Sequence, residues 1–203
     1  MTTPMSADEL IAEITRSFQA EPYPGDLHIV TNNAPGYDLE SLQIRETFKV
    51  HTWQTMPDDL LLYEQAALSL LSPQGFKYYL PAFLCLAVRH YTAADALPDS
   101  LIFHLTPPRR MAAVNTAGAR NRPALLLTPQ PGPHPDADQP TTPGRMVDQD
   151  WQADFFIARA RRFNPAQGRA ICHFLAYLRD AHGHDYDDGA PDTAIERYWF
   201  QFE

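Results

Sequence analysis

The segment His182-Gly183-His184-Asp185-Tyr186-Asp187-Asp188 gathers two imidazoles and three carboxylates near the carboxy-terminal end of the chain. Those are side chains that a divalent transition metal accepts. His182, His184, Asp185 and Asp188 are the candidate ligands, and a metal-dependent hydrolase is the enzyme such a centre would make. No second cluster with ligand spacing accompanies them. Histidines after a helix end also suit the negative end of the helix dipole, so a solvated turn is the competing account. A second group, Lys77, Tyr78, Tyr79, Arg89 and His90, could ring a cleft and supply an acid or a base. Ordinary packing would instead bury the aromatic bodies and leave Lys77 reaching for water. The chain has no Gly-rich phosphate loop, no Gly-x-Ser-x-Gly elbow and no His-Glu-x-x-His helix. No catalytic residue is assigned, and no cofactor is expected.

A third group suggests recognition. Asp38, Glu40, Glu46, Asp58, Asp59 and Glu64 lie in sequence beside Tyr37, Trp53 and Tyr63. Steering charges mixed with aromatic anchors suit a grip on a basic protein; an ordinary helical surface over buried aromatics is the alternative. The charge distribution makes a basic protein partner electrostatically easier. The formal net charge is −9, and residues 1–105 hold 13 acids against 5 Lys and Arg. Arg109, Arg110, Arg120, Arg122 and Arg145 then oppose only Asp136 and Asp138 over residues 106–147. A broad basic footprint for phosphates is missing, so direct nucleic-acid binding is disfavoured.

The elements that would position these groups are helical. Phe76, Tyr79, Leu80, Phe83, Leu84, Ala87, Val88 and Tyr91 recur at three-and-four spacing, so residues 72–91 read as the central helix of a core. Ser72 caps it, Pro73 starts it and Pro81 should kink it. Ser6 with Glu9 forms a capping-box pattern for a first helix to about residue 19, and Leu27–Thr31 reads as a short strand. Further helices are expected over residues 38–50, from Pro57 up to the Ser72-Pro73 junction, over 95–105, over 150–163, from Asn164-Pro165 to His182-Gly183, and over 191–202. The fold class expected is all-α or nearly so. Residues 1–105 and 149–203 would be two helical halves packing on each other.

Residues 106–148 hold nine of the 19 prolines and read as a long insertion or loop. Cys85 and Cys172 fall on apolar helix faces, as buried free thiols do. No stretch approaches the roughly 20 apolar residues that cross a bilayer, and the amino terminus lacks the blocks of a secretion signal, so a cytoplasmic protein without membrane contact is expected.

The run Leu71-Ser-Pro-Gln-Gly-Phe-Lys-Tyr-Tyr-Leu-Pro-Ala-Phe-Leu, then Phe163-Asn-Pro-Ala-Gln-Gly-Arg-Ala-Ile-Cys-His-Phe-Leu, then Ala194-Ile-Glu-Arg-Tyr-Trp, resembles a family of small bacterial proteins of unknown function. The likeness covers about residues 40–105 and 150–202, with 106–148 as an insertion relative to it. It implies a compact helical fold and carries no catalytic assignment. Some relatives resemble immunity proteins of toxin loci, which would make the expected partner a cognate basic toxin and the expected function its blockade through an acidic surface. That surface would comprise Tyr37, Asp38, Glu40, Glu46, Trp53, Asp58, Asp59 and Glu64.

Overall fold

The computed structural model describes residues 5–34, 38–108, 147–186 and 188–203. Among them no strand forms, and the class is all-α as expected. Ser6 opens α1 (Ala7–Phe18): its side chain accepts from the Glu9 amide while the Glu9 carboxylate takes the Ser6 amide, a complete capping box. Leu10, Ile14 and Phe18, three turns of one stripe, are fully buried. Asp38 caps α2 (Leu39–Phe48) through the Ser41 amide at 3.0 Å. Asn164 and Gln167 form a second capping box on α8 (Pro165–His182).

Ser72 caps α5 (Pro73–Arg89), with Pro73 at the position where a missing N–H costs nothing. Its neighbours are α1, α6 (Leu97–Leu105), α7 (Val147–Ala160) and α3 (Asp58–Tyr63). Surrounded in this way, α5 buries more than the single face its spacing announced. Tyr78, Pro81, Ala82, Cys85 and Leu86 are inside as well, and the helix continues through Pro81. Burial on every side supplies what the lost backbone hydrogen bond and the crowding of Pro81 take away.

The expected strand Leu27–Thr31 is instead a 3₁₀ turn, Asp26–His28, followed by one antiparallel bridge between Val30 and Leu71. Thr31 donates to the Leu70 carbonyl at 3.0 Å and Ser72 to the Ile29 carbonyl at 2.9 Å, and no third partner extends the ladder. The helix expected from Pro57 to the Ser72 junction breaks after α3: Glu64 leaves helical geometry, and α4 (Ala67–Leu70) is a separate turn. α7 begins at Val147, ahead of the expected Asp150.

After α8 and a 3₁₀ turn at Gly183–Asp185 come α9 (Ala190–Arg197) and a closing 3₁₀ turn, Trp199–Phe202. One apolar cluster runs from Leu10 on α1 to Trp199. Cys85 and Cys172 are free and buried, and burial pushes both thiols up to about 11, which keeps them protonated. Residues 109–146, nearly all of the expected insertion, lie outside the described residues. No helix among the described residues is long and apolar enough to cross a membrane.

Candidate functional site

An arginine with phenylalanines four residues on either side, Phe155 and Phe163, must place its cation on the apolar side of α7. Arg159 is 3% exposed. Its guanidinium carbon lies 4.1 Å from the centre of the Phe76 ring and 3.9 Å from that of Phe155. The cation therefore lies against two aromatic rings. Nη2 donates to the carbonyls of Leu68 and Leu71, each at 2.8 Å, which are groups left open at the carboxy-terminal end of α4. Nε has no hydrogen-bond partner, and no carboxylate pairs with the charge among the described residues. Burial pulls the guanidinium down to about 9, so it stays a cation at neutral pH.

Nη1 of Arg159 lies 3.4 Å from Nδ1 of His104. An arginine can only donate, so Nδ1 is the acceptor and Nε2 carries the proton, facing the Ser69 hydroxyl at 3.3 Å. Burial first, and the Arg159 charge second, hold this imidazole down to about 4. It is neutral at pH 7. These residues floor a cleft of about 540 Å³ with Phe103, Trp151, Phe155 and Phe156 along its sides and Arg197 at its edge. Among the described residues the Arg197 guanidinium reaches only the Pro107 carbonyl, at 3.4 Å. Among the described residues no Asp or Glu lines the cleft, which in an acidic chain brings two arginines together.

The state of His104 makes stability depend on pH. The unfolded imidazole protonates near 6.5 and the folded one only near 4. Between those values the unfolded chain binds more protons, so stability is full above the window and falls as pH drops through it, by ~3 kcal/mol in total at about 1.4 kcal/mol per unit. His182, also lowered by burial, has the same sign. Urea unfolding at pH 7 and pH 4.5 should show a loss for the native chain that His104→Gln reduces; an unchanged pH dependence in that variant would refute the assignment.

The sequence-derived groups are placed differently. His182 stacks on Tyr91, ring centres 3.5 Å apart, and the Tyr91 hydroxyl donates to Asp185 at 3.0 Å. His184 sits 3.4 Å from Asp185, and Asp188 accepts from the Ala190 amide at the start of α9. Asp187 is outside the described residues. Among those described, no three His, Cys, Asp or Glu side chains converge as a metal would require. Tyr78 and Tyr79 are buried, and Tyr79 donates to the Phe48 carbonyl at 2.9 Å. Lys77 pairs with Glu21 at 2.8 Å, and Arg89 and His90 both reach Asp58. No acid–base cleft forms from them.

Of the acidic surface, Trp53 is a correction: at 5% exposure it is a core residue and cannot anchor a partner. Asp38 is a helix cap, and Glu46 is taken by Arg45 and Lys49. Asp58 is taken by Arg89. Glu40 and Asp59 are exposed, Glu64 is half-buried at the end of α3, and these three pair with no cation among the described residues. Tyr37 is outside the described residues. Tyr63, one turn beyond Asp59 on α3, is 80% exposed.

A model described as a family of unknown function, DUF6714, matches residues 6–122. The chain belongs to this family. Nothing among curated proteins or solved structures matches it. The DUF6714 stretch includes α1 to α6 and the first part of the segment read above as an insertion. Phe103, His104 and Pro107 of the cleft thus lie inside the DUF6714 match, whereas Arg159 and Arg197 come from helices beyond it. The sequence reading passed over Arg159; its one local signal was an arginine between two phenylalanines at helical spacing.

Proposed function

We propose that the chain acts by recognition, as an immunity-type or antitoxin-like protein that covers the active surface of a basic toxin with its α2–α3 region. The observation that carries this reading is Tyr63, a large aromatic standing 80% exposed one helical turn from the Asp59 carboxylate, which accepts from the Leu60 amide and pairs with no cation among the described residues. Leu39, 77% exposed, stands beside Glu40 at the start of α2. An aromatic in reach of uncompensated negative charge gives a partner both contact area and orientation, and the acidic surplus of residues 1–105 speeds its approach. The surface so defined is smaller than the sequence suggested: Glu40, Asp59, Tyr63 and Glu64, without Trp53.

The test is co-expression with the product of the adjacent gene. Growth inhibition by that product should be relieved by the native chain. A Tyr63→Ser, Asp59→Lys double substitution should weaken the complex by about tenfold or more with an unchanged melting curve. Failure of the native chain to bind that product, or undiminished binding by the double variant, would overturn the reading.

A further inference from the structure

We propose that the Arg159 cleft is a binding site for an organic carboxylate joined to an aromatic or branched apolar body, independent of the α2–α3 surface. Arg159 is a buried cation whose Nε is unpartnered, and Arg197 at the rim has one long contact to a backbone carbonyl. A buried cation left without a counter-ion is costly, and an anion entering the cleft would relieve that cost with a charge-assisted hydrogen bond. In a chain of net charge −9, a cleft whose described lining residues include two arginines and no acid is an unusual concentration of positive charge.

The walls restrict which anion fits. Phe103 and Trp151 are 70% and 52% exposed, and with Phe155 and Phe156 they form aromatic sides that an apolar body would cover. The volume, about 540 Å³, is that of a small-molecule site. For a phosphate dianion the described lining offers Arg197, the free edge of Arg159 and only the neutral side chains of Thr31, Ser69 and Gln152 besides, a poorer match than for a single charge. Nη2 of Arg159 is committed to two carbonyls, His104 is neutral with its proton turned to Ser69, and no Gly-rich loop offers amides. A single-charged head with a large apolar remainder matches one spare guanidinium edge, a second arginine at the rim and aromatic walls. Such a head is found on free aromatic acids and at the carboxy terminus of peptides ending in an apolar residue.

Calorimetry on the full chain tests this with four probes: 3-phenylpropionate, its primary amide, the peptide Gly-Gly-Phe and the same peptide amidated. Either acid should saturate the protein, and the matching amide should bind about tenfold or more weakly, because it lacks the charge that Arg159 accepts. Binding by 3-phenylpropionate alone assigns the cleft to free acids; preference for Gly-Gly-Phe assigns it to peptide termini. Arg159→Gln should abolish binding but removes a packed residue. Arg197→Gln and Phe103→Ser, both at the rim, carry the decision: each should weaken the acid by about fivefold or more with an unchanged melting curve. No saturation by either acid up to about 10 mM, equal binding of acid and amide, or full affinity in both rim variants would overturn the proposal.

Discussion

Replacing Gly75 by alanine should cost ~4 kcal/mol or more, a large share of the ~5–15 kcal/mol that holds an ordinary domain together. Gly75 lies in the first turn of α5, and a Cβ there would stand 2.0 Å from the Ile29 carbonyl oxygen, 2.8 Å from its carbon and 3.0 Å from the Ile29 Cα. The obstacle is backbone, held on both sides. The Ile29 carbonyl accepts from the Ser72 amide at 2.9 Å, the Ser72 hydroxyl donates to the His28 carbonyl, and Val30 bridges Leu71. To admit one methyl group these two segments must part, which breaks those bonds and uncovers Ile29 and Val30, now 0% and 1% exposed. Gly183→Ala is the control, since a Cβ there meets nothing within 4 Å. Urea midpoints should separate the two variants widely. A loss under ~1 kcal/mol for Gly75→Ala would show that the close approach is not as drawn.

Trp199→Ala should have an effect of similar size, ~3–5 kcal/mol, because a fully buried indole leaves a cavity that its neighbours cannot fill. Phe163, Tyr198 and Phe202 surround the ring with centres 5.9, 5.0 and 5.8 Å away. Its Nε1 donates to the Leu105 carbonyl at 2.7 Å, the last residue of α6, so the substitution also strands a buried acceptor. Trp199→Phe keeps most of the volume and loses the donor, and should cost ~1–3 kcal/mol. Equal losses for the two variants would mean that the hydrogen bond, not the packed ring, holds the carboxy-terminal turn in place.

Features set by near neighbours in the chain were legible in the sequence. Ser6 with Glu9, Ser72 before Pro73 and Asn164 before Pro165 are helix openings written within four residues of chain, so those caps and the helices behind them could be read directly. Trp199 as a core residue was legible for a similar reason, since Ile195 and Trp199 share one side of the last element. Features set by distant partners were not. Residues 27–31 have strand composition, but the segment they meet ends at Leu71 and offers one bridge. Trp53 looked like an anchor because its residue type suits an interface; its burial depends on the elements that pack over the turn holding it. The break after Tyr63 falls at Glu64-Gln65, two good helix formers with no glycine or proline beside them, so helix propensity gave no sign of it. The cleft was the least legible of all: Ser69, His104, Arg159 and Arg197 come from four places in the chain, and only folding makes them one pocket.

The seat of α1 has a consequence for how the chain reaches its folded state. That helix lies against α5 and α8, with the Glu13 carboxylate 2.8 Å from Nδ1 of His173 and Glu21 taking a hydrogen bond from the Gln167 amide group at 2.8 Å. The partners are separated by 160 and 146 residues. Closing so long a loop costs entropy that is recovered only when both helices dock together, which raises the contact order and slows folding. During synthesis, a chain emerging from the ribosome would hold Leu10, Ile14 and Phe18 against α5 with their other flank bare until α8 arrives. For most of that interval α1 is made but not finished.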